Sequence, residues 1–127
     1  MTQFDEAAES NEVLEKGADY EVVEWIVDDY DNPVDISGDT FRAQIREYAG
    51  AAGSPIASFT FEIFLDNNEP TPFYKYRRTM AQALINALTI KEAVWDQFQE
   101  LSDGTVTKNM RGKVKIVGNV TDPTVTP

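Results

Sequence analysis

An all-β sandwich is the fold class this sequence predicts, and three observations predict it. Apolar and polar residues alternate with period two in at least four segments. Turn-forming clusters separate those segments at short intervals, and only one stretch repeats apolar residues at helical spacing. At 127 residues the chain has room for one domain, which buries roughly two thirds of its unfolded surface and needs no disulfide or metal to hold a core.

The first segment, residues 1–18, "MTQFDEAAESNEVLEKGA", is acidic and poor in apolar faces, so it reads as an arm that moves freely in solution and orders only on a partner. Phe4, Val13 and Leu14 are its candidate partner contacts, and deleting the segment should leave the melting temperature nearly unchanged. In "DYEVVEWIVDDYD", Val23, Trp25 and Val27 share one face of a predicted strand, with Val22 and Ile26 on the other. "DNPVDISGD" breaks that run with Asn-Pro and Ser-Gly. "TFRAQIREY" then places Phe41, Ala43 and Ile45 inward and Arg42, Gln44 and Arg46 outward. "ASFTFEIFL" aligns Phe59, Phe61, Ile63 and Leu65 on one face. In "FYKYRRTM", Tyr74, Tyr76 and Met80 oppose Lys75 and Arg77. Thr79 reads as the N-cap of a short helix over 79–88, with Met80, Leu84 and Leu88 on its apolar side.

"VWDQFQELSDGTVTKNMRGKVKIVGNVT" reads as a hairpin turning at Asp103-Gly104, a pair suited to positive φ. Lys113 and Lys115 alternate with Val114 and Ile116 on its second strand. Residues 122–127, with two prolines, read as a tail. The domain is therefore expected over 19–121, between the arm at 1–18 and the tail at 122–127.

Composition narrows the function classes. The net charge of −11 argues against nucleic acid, whose phosphates are bound by clustered Lys and Arg. No stretch approaches the ~20 apolar residues of a membrane span, and the acidic start is unlike a signal peptide, so cytoplasmic synthesis and no membrane partner are expected. With no histidine and no cysteine, the usual nucleophilic triads and thiolate metal sites cannot form. No enzymatic activity, cofactor or catalytic residue is expected. The acidic run Asp28, Asp29, Asp31, Asp35 and Asp39 departs from the EF-hand pattern, because Pro33 stands where a ligand belongs and no glutamate closes the loop. It reads first as a solvated turn and only second as a calcium loop. Trp25, Trp95, Tyr74 and Tyr76 read first as core and only second as a carbohydrate- or receptor-binding platform. The basic residues crowd the second half and acids the first, which reads either as ordinary solvated strand faces or as acidic and basic surfaces that pair between neighbouring copies.

The order of motifs carries a resemblance. Ile36-Ser37-Gly38 leads into the arginine-ended strand Phe41 to Arg46; a short helix spans Thr79 to Leu88; and Trp95-Asp96 is followed by Asp103-Gly104, then Gly112-Val114-Ile116 and Val120-Thr121. Over roughly residues 20–121 this resembles small Ig-like structural modules of bacteriophage virion proteins. These include capsid decoration or head-fibre, tail and baseplate adaptor types, and the N-terminal modules of baseplate upper proteins. Two departures stand out: Gln97 and Gln99 occupy places that are apolar in the family, and the acidic arm is no part of it. The resemblance implies an Ig-like antiparallel β-sandwich with one short α-helix, to which the composition of the two ends adds extended terminal arms. It implies a non-enzymatic virion protein, made in the host bacterial cytoplasm, multi-copy in the particle and docked on capsid, tail or fibre proteins. The resemblance also makes the 94–121 hairpin a closing edge of the sandwich, kept soluble by its alternating lysines, and Lys113 and Lys115 join Phe4, Val13 and Leu14 as candidate contact residues.

Overall fold

The structure, a computed structural model, describes residues 8–118. Among them the order is β1 (Ala8–Glu9), β2 (Glu12–Glu15), β3 (Tyr20–Glu24), β4 (Thr40–Arg46), β5 (Ala57–Ser58), β6 (Thr60–Asp66), β7 (Phe73–Met80), α1 (Gln82–Asn86), β8 (Glu92–Glu100) and β9 (Val106–Val117). One sheet has the order β5-β4-β8-β9, with β1 and β2 both on the far side of β9, and the other is β3-β7-β6. Lettered as an immunoglobulin sandwich, these are C′-C-F-G-A′ against B-E-D, with the helix between E and F. The fold is therefore an Ig-like sandwich in which every pairing is antiparallel except the two on β9 made by β1 and β2.

Those parallel strands correct the expected arm. Residues 12–15 pair with Val114 to Val117, and Leu14 is completely buried beside Met80, Ile85, Trp95, Val114 and Ile116. An acidic segment can form this strand because only one residue in four must be apolar: Val13 and Glu15 face solvent, while Glu12 turns inward to polar partners. The domain thus begins at or before residue 8, not at 19, and β9 is an interior strand whose open side β1 and β2 cover. The lysines of β9 do not mark a closing edge. Phe4 and the tail 122–127 lie outside the described residues.

Three further elements depart from expectation. The strand at 20–24 stops before Trp25, leaving Trp25 and Val27 exposed; Val27 bridges Pro33 in a tight return. The alternating run at 57–66 is two strands, β5 on β4 and β6 on β7, because the chain crosses between sheets at buried Phe59. Leu65, at the far end, is 41% exposed instead of facing the core. Thr79 does not cap a helix but sits in β7 between Thr60 and Glu21. The helix spans five residues inside the expected range, and Asp19, distant in sequence, accepts from the Gln82 N–H at its start.

The interior has two apolar clusters, a large one around Leu14, Ile45, Phe59, Met80, Ile85 and Trp95 and a small one of Ile36, Phe41 and Tyr76. Between them runs a polar belt. On β7, Arg78 lies between Tyr76 and Met80 and is completely buried. Its Nη1 donates to Glu24 at 2.8 Å and to Gln97 Oε1 at 2.7 Å, and its Nε donates to the Tyr20 hydroxyl at 3.2 Å. The guanidinium stands 4.7 Å from the Trp95 ring. Gln97 Nε2 in turn donates to the Tyr76 hydroxyl and to Asn109, which donates to Gln99, which donates to Asp39. Gln97 and Gln99 therefore face inward and are satisfied. Ala43, opposite Gln97 in register, is small enough to leave the belt its room. Among the described residues no buried side-chain polar atom lacks a partner, as a low-dielectric interior demands. Burial, and then the Glu24 carboxylate, raise Tyr76 above its usual ionisation range; burial and Glu12 do the same to Tyr20.

Candidate functional site

Strand register assembles one broad outer face on the larger sheet. Even-numbered residues of β4 and β8 point outward, and pairing with β9 and the N-terminal strands sets them in rows. Successive rows are Arg42, Phe98 and Lys108; then Gln44, Asp96, Arg111 and Glu9; then Arg46, Val94 and Lys113; then Glu92, Lys115 and Val13. The bulge between Gln97 and Phe98 shifts β9 by one residue and so puts Lys108 in the first row. These rows hold six cations against Glu9, Asp96 and Glu92, on a chain whose net charge is −11. Of the candidate contacts, the structure brings Val13, Lys113 and Lys115 together here and removes Leu14 to the core.

The middle of the face holds a depression of about 370 Å³ lined by Gln44, Arg46, Tyr48, Val94, Asp96, Lys108 and Arg111. Arg46 pins one wall: its Nη1 donates to the Gly53 carbonyl at 2.7 Å and its Nη2 to Gln44 Oε1 at 3.2 Å, fixing the loop that carries Tyr48. Lys108 is 3.5 Å from Asp96 and 5.3 Å from the Phe98 ring. The floor is rigid because Trp95, 3% exposed, donates its indole N–H to the Ser10 carbonyl at 2.7 Å. That close approach needs Gly112, where a Cβ would meet the Ser10 oxygen at 2.0 Å.

The other features singled out in the sequence lie elsewhere. Asp28 Oδ1 accepts from the backbone N–H groups of Asn32 and Tyr30, and Asp35 Oδ1 accepts from that of Ser37; these bonds hold both carboxylates below their usual range. One oxygen of each is occupied in shaping a turn, and among the described residues no three acidic side chains converge as a cation cage would require. Trp25 is 47% exposed, with the Lys75 ammonium 4.5 Å from its ring and Phe73 edge-on at 5.9 Å. Among the described residues no helix is long and apolar enough to cross a membrane.

Sequence reasoning missed Arg78, Gln97 and Glu24 as an interior network. The one available signal was the placement of Arg78 in phase with Tyr76 and Met80.

No family model and no curated protein matches the sequence. Among solved structures, a mutant of the SrpA adhesin from Streptococcus sanguinis is similar at 17% identity and a TM-score of 0.44, covering 91% of this chain. The chain spans 61% of the length of that protein.

Proposed function

We propose that this Ig-like module is a non-enzymatic structural component of a bacteriophage particle. It docks on other virion proteins either as a capsid decoration or head-fibre component or as a tail, neck or baseplate adaptor. The order of motifs from Ile36 to Thr121 supports the phage reading. The observation that carries docking is the outer face of the larger sheet, where cations cluster around a shallow depression on an otherwise acidic chain. Short-range attraction toward acidic groups on a partner would act through that face.

Mass spectrometry of purified particles tests the class, and a cryo-EM map of the particle tests the place. Absence from particles despite expression during infection counts against the proposal. Charge reversal at Lys113 and Lys115 should weaken retention on the particle, and more so in low salt. A glycan or receptor-binding reading has one observation in its favour, the half-exposed Trp25. Loss of cell or glycan binding in Trp25→Ala, with particle retention intact, would favour it.

A further inference from the structure

The loop between β3 and β4 is the electrostatic complement of the docking face. Asp28, Asp29, Asp31 and Asp35 are all exposed, and residues 25–39 contain no lysine or arginine. The loop is built, not slack. Asp28 N–H donates to Asn32 at 2.9 Å, Val34 N–H donates to Ile26 at 2.8 Å, and Asp31 holds φ of 63° to make the turn. At its tip, Tyr30 is 85% exposed between Asp29 and Asp31. An exposed aromatic flanked by carboxylates, on a preorganised hairpin, is a ligand for a shallow pocket ringed by cations.

We propose that the occupant of the face is a second copy of this chain: the 28–35 hairpin of one copy seats Tyr30 in the depression of the next, with Asp29 and Asp31 against Lys108, Arg111 and Lys113. This rests on reading the face as a docking surface. The contact joins two different patches, so it is heterologous and propagates from copy to copy as a ring or an open row. The four rows cover about 20 Å by 14 Å, from ~3.4 Å per residue along a strand and ~4.8 Å between strands. That is well below the ~800 Å² per partner of a stable pair, so one contact is weak and the assembly gains strength by repetition, as on a particle surface.

The net charge adds a distinctive salt response. Two copies at −11 each repel at long range when salt is low, whereas at ~0.15 M the Debye length falls to ~8 Å and only neighbouring charges count. Self-association therefore passes through a maximum near that salt and declines on both sides.

Analytical ultracentrifugation of the purified full chain at up to about 1 mM, across salt concentrations, tests this. Asp29→Lys with Asp31→Lys, and separately Lys108→Glu with Lys113→Glu, should each abolish association. Mixing the two variants should restore it, because the reversed loop then meets the reversed face. A benzophenone side chain at position 30 should cross-link to β8 or β9 of another copy. A wild-type chain that stays monomeric at 1 mM in 0.15 M salt overturns the proposal, as does a mixture that stays monomeric or a cross-link that maps elsewhere. Because only purified protein is used, failure here leaves the particle-docking reading standing on its own test, and presence in particles does not rescue the self-contact.

Discussion

Replacing Leu14 by alanine separates a strand of the core from an idle arm, because its neighbour Val13 provides an internal control. Leu14 is 0% exposed and belongs to a core cluster with ten other buried residues, whereas Val13 is 51% exposed on the opposite side of the same strand. Large-to-small changes at fully buried leucines cost about 2–5 kcal/mol, the transfer of the lost carbons plus the cavity they leave. β2 is the outermost strand of its sheet and can shift inward to shrink that cavity, so we expect about 3 kcal/mol. For a domain of this size, 1 kcal/mol corresponds to about 4 °C, and Leu14→Ala should lower the midpoint by about 12 °C. Val13→Ala should cost no more than about 0.5 kcal/mol, as at other exposed positions. Urea unfolding followed by circular dichroism gives both values, and a native far-UV spectrum at low temperature shows that the variant folds. If Leu14→Ala costs less than about 1 kcal/mol, or the same as Val13→Ala, then β2 contributes nothing to the core and the placement of residues 12–15 is wrong.

Arg78→Met should cost about 3 kcal/mol, since it strands Gln97 and weakens the hold on Glu24; adding Gln97→Leu should recover at least about 1 kcal/mol, measured as the coupling in a double-mutant cycle. Tyr20 and Tyr76 are raised in the folded state, so their contribution is fully present below the ordinary tyrosine value near 10 and is lost as pH rises toward the folded values. Between those limits stability should fall by about 1.4 kcal/mol per pH unit for each, and Tyr76→Phe should halve the slope in alkaline urea titrations. Gly112→Ala should dislodge the Ser10 carbonyl and change Trp95 fluorescence at a cost of about 1–3 kcal/mol, whereas Gly118→Ala, with open space around it, should be silent.

Where one face of a strand is apolar, the fold was readable from the chain alone. Phe41, Ala43 and Ile45 point inward as their alternation requires, and Gly104 takes the positive φ that the Asp-Gly pair announces. The failures share a cause, which is that burial does not demand an apolar side chain when a distant partner can satisfy a polar one. Arg78, Gln97 and Gln99 look like surface residues until β3, β7, β8 and β9 bring their partners together. The N-terminal strand, with one buried residue in four, lies below what periodicity can detect. Continuous alternation through residues 57–66 likewise hides the crossing at Phe59, because the pattern continues while the hydrogen-bonding partner changes. As for the docking face, Lys113 and Lys115 were visible, but their union with Arg42, Lys108 and Val13 depends on register across four strands. No local pattern encodes that register.

The parallel run of β2 beside β9 also determines how the module bears load. The described chain enters at Ala8, opposite Met110, and leaves after Val117, opposite Glu15, so its two ends emerge at opposite poles of the same pair of strands. Tension applied between those ends slides β1 and β2 along β9, and the bonds between them are stressed together rather than opened one after another. Ser10 N–H to Arg111, Lys16 N–H to Val117 and the Lys113 N–H to Asn11 side chain would resist alongside the ladder. An antiparallel hairpin pulled from its open end gives way bond by bond at low force; this arrangement must yield as a unit. A module tethered through its two ends is thereby built as a shear clamp, stiff along the line joining its attachments.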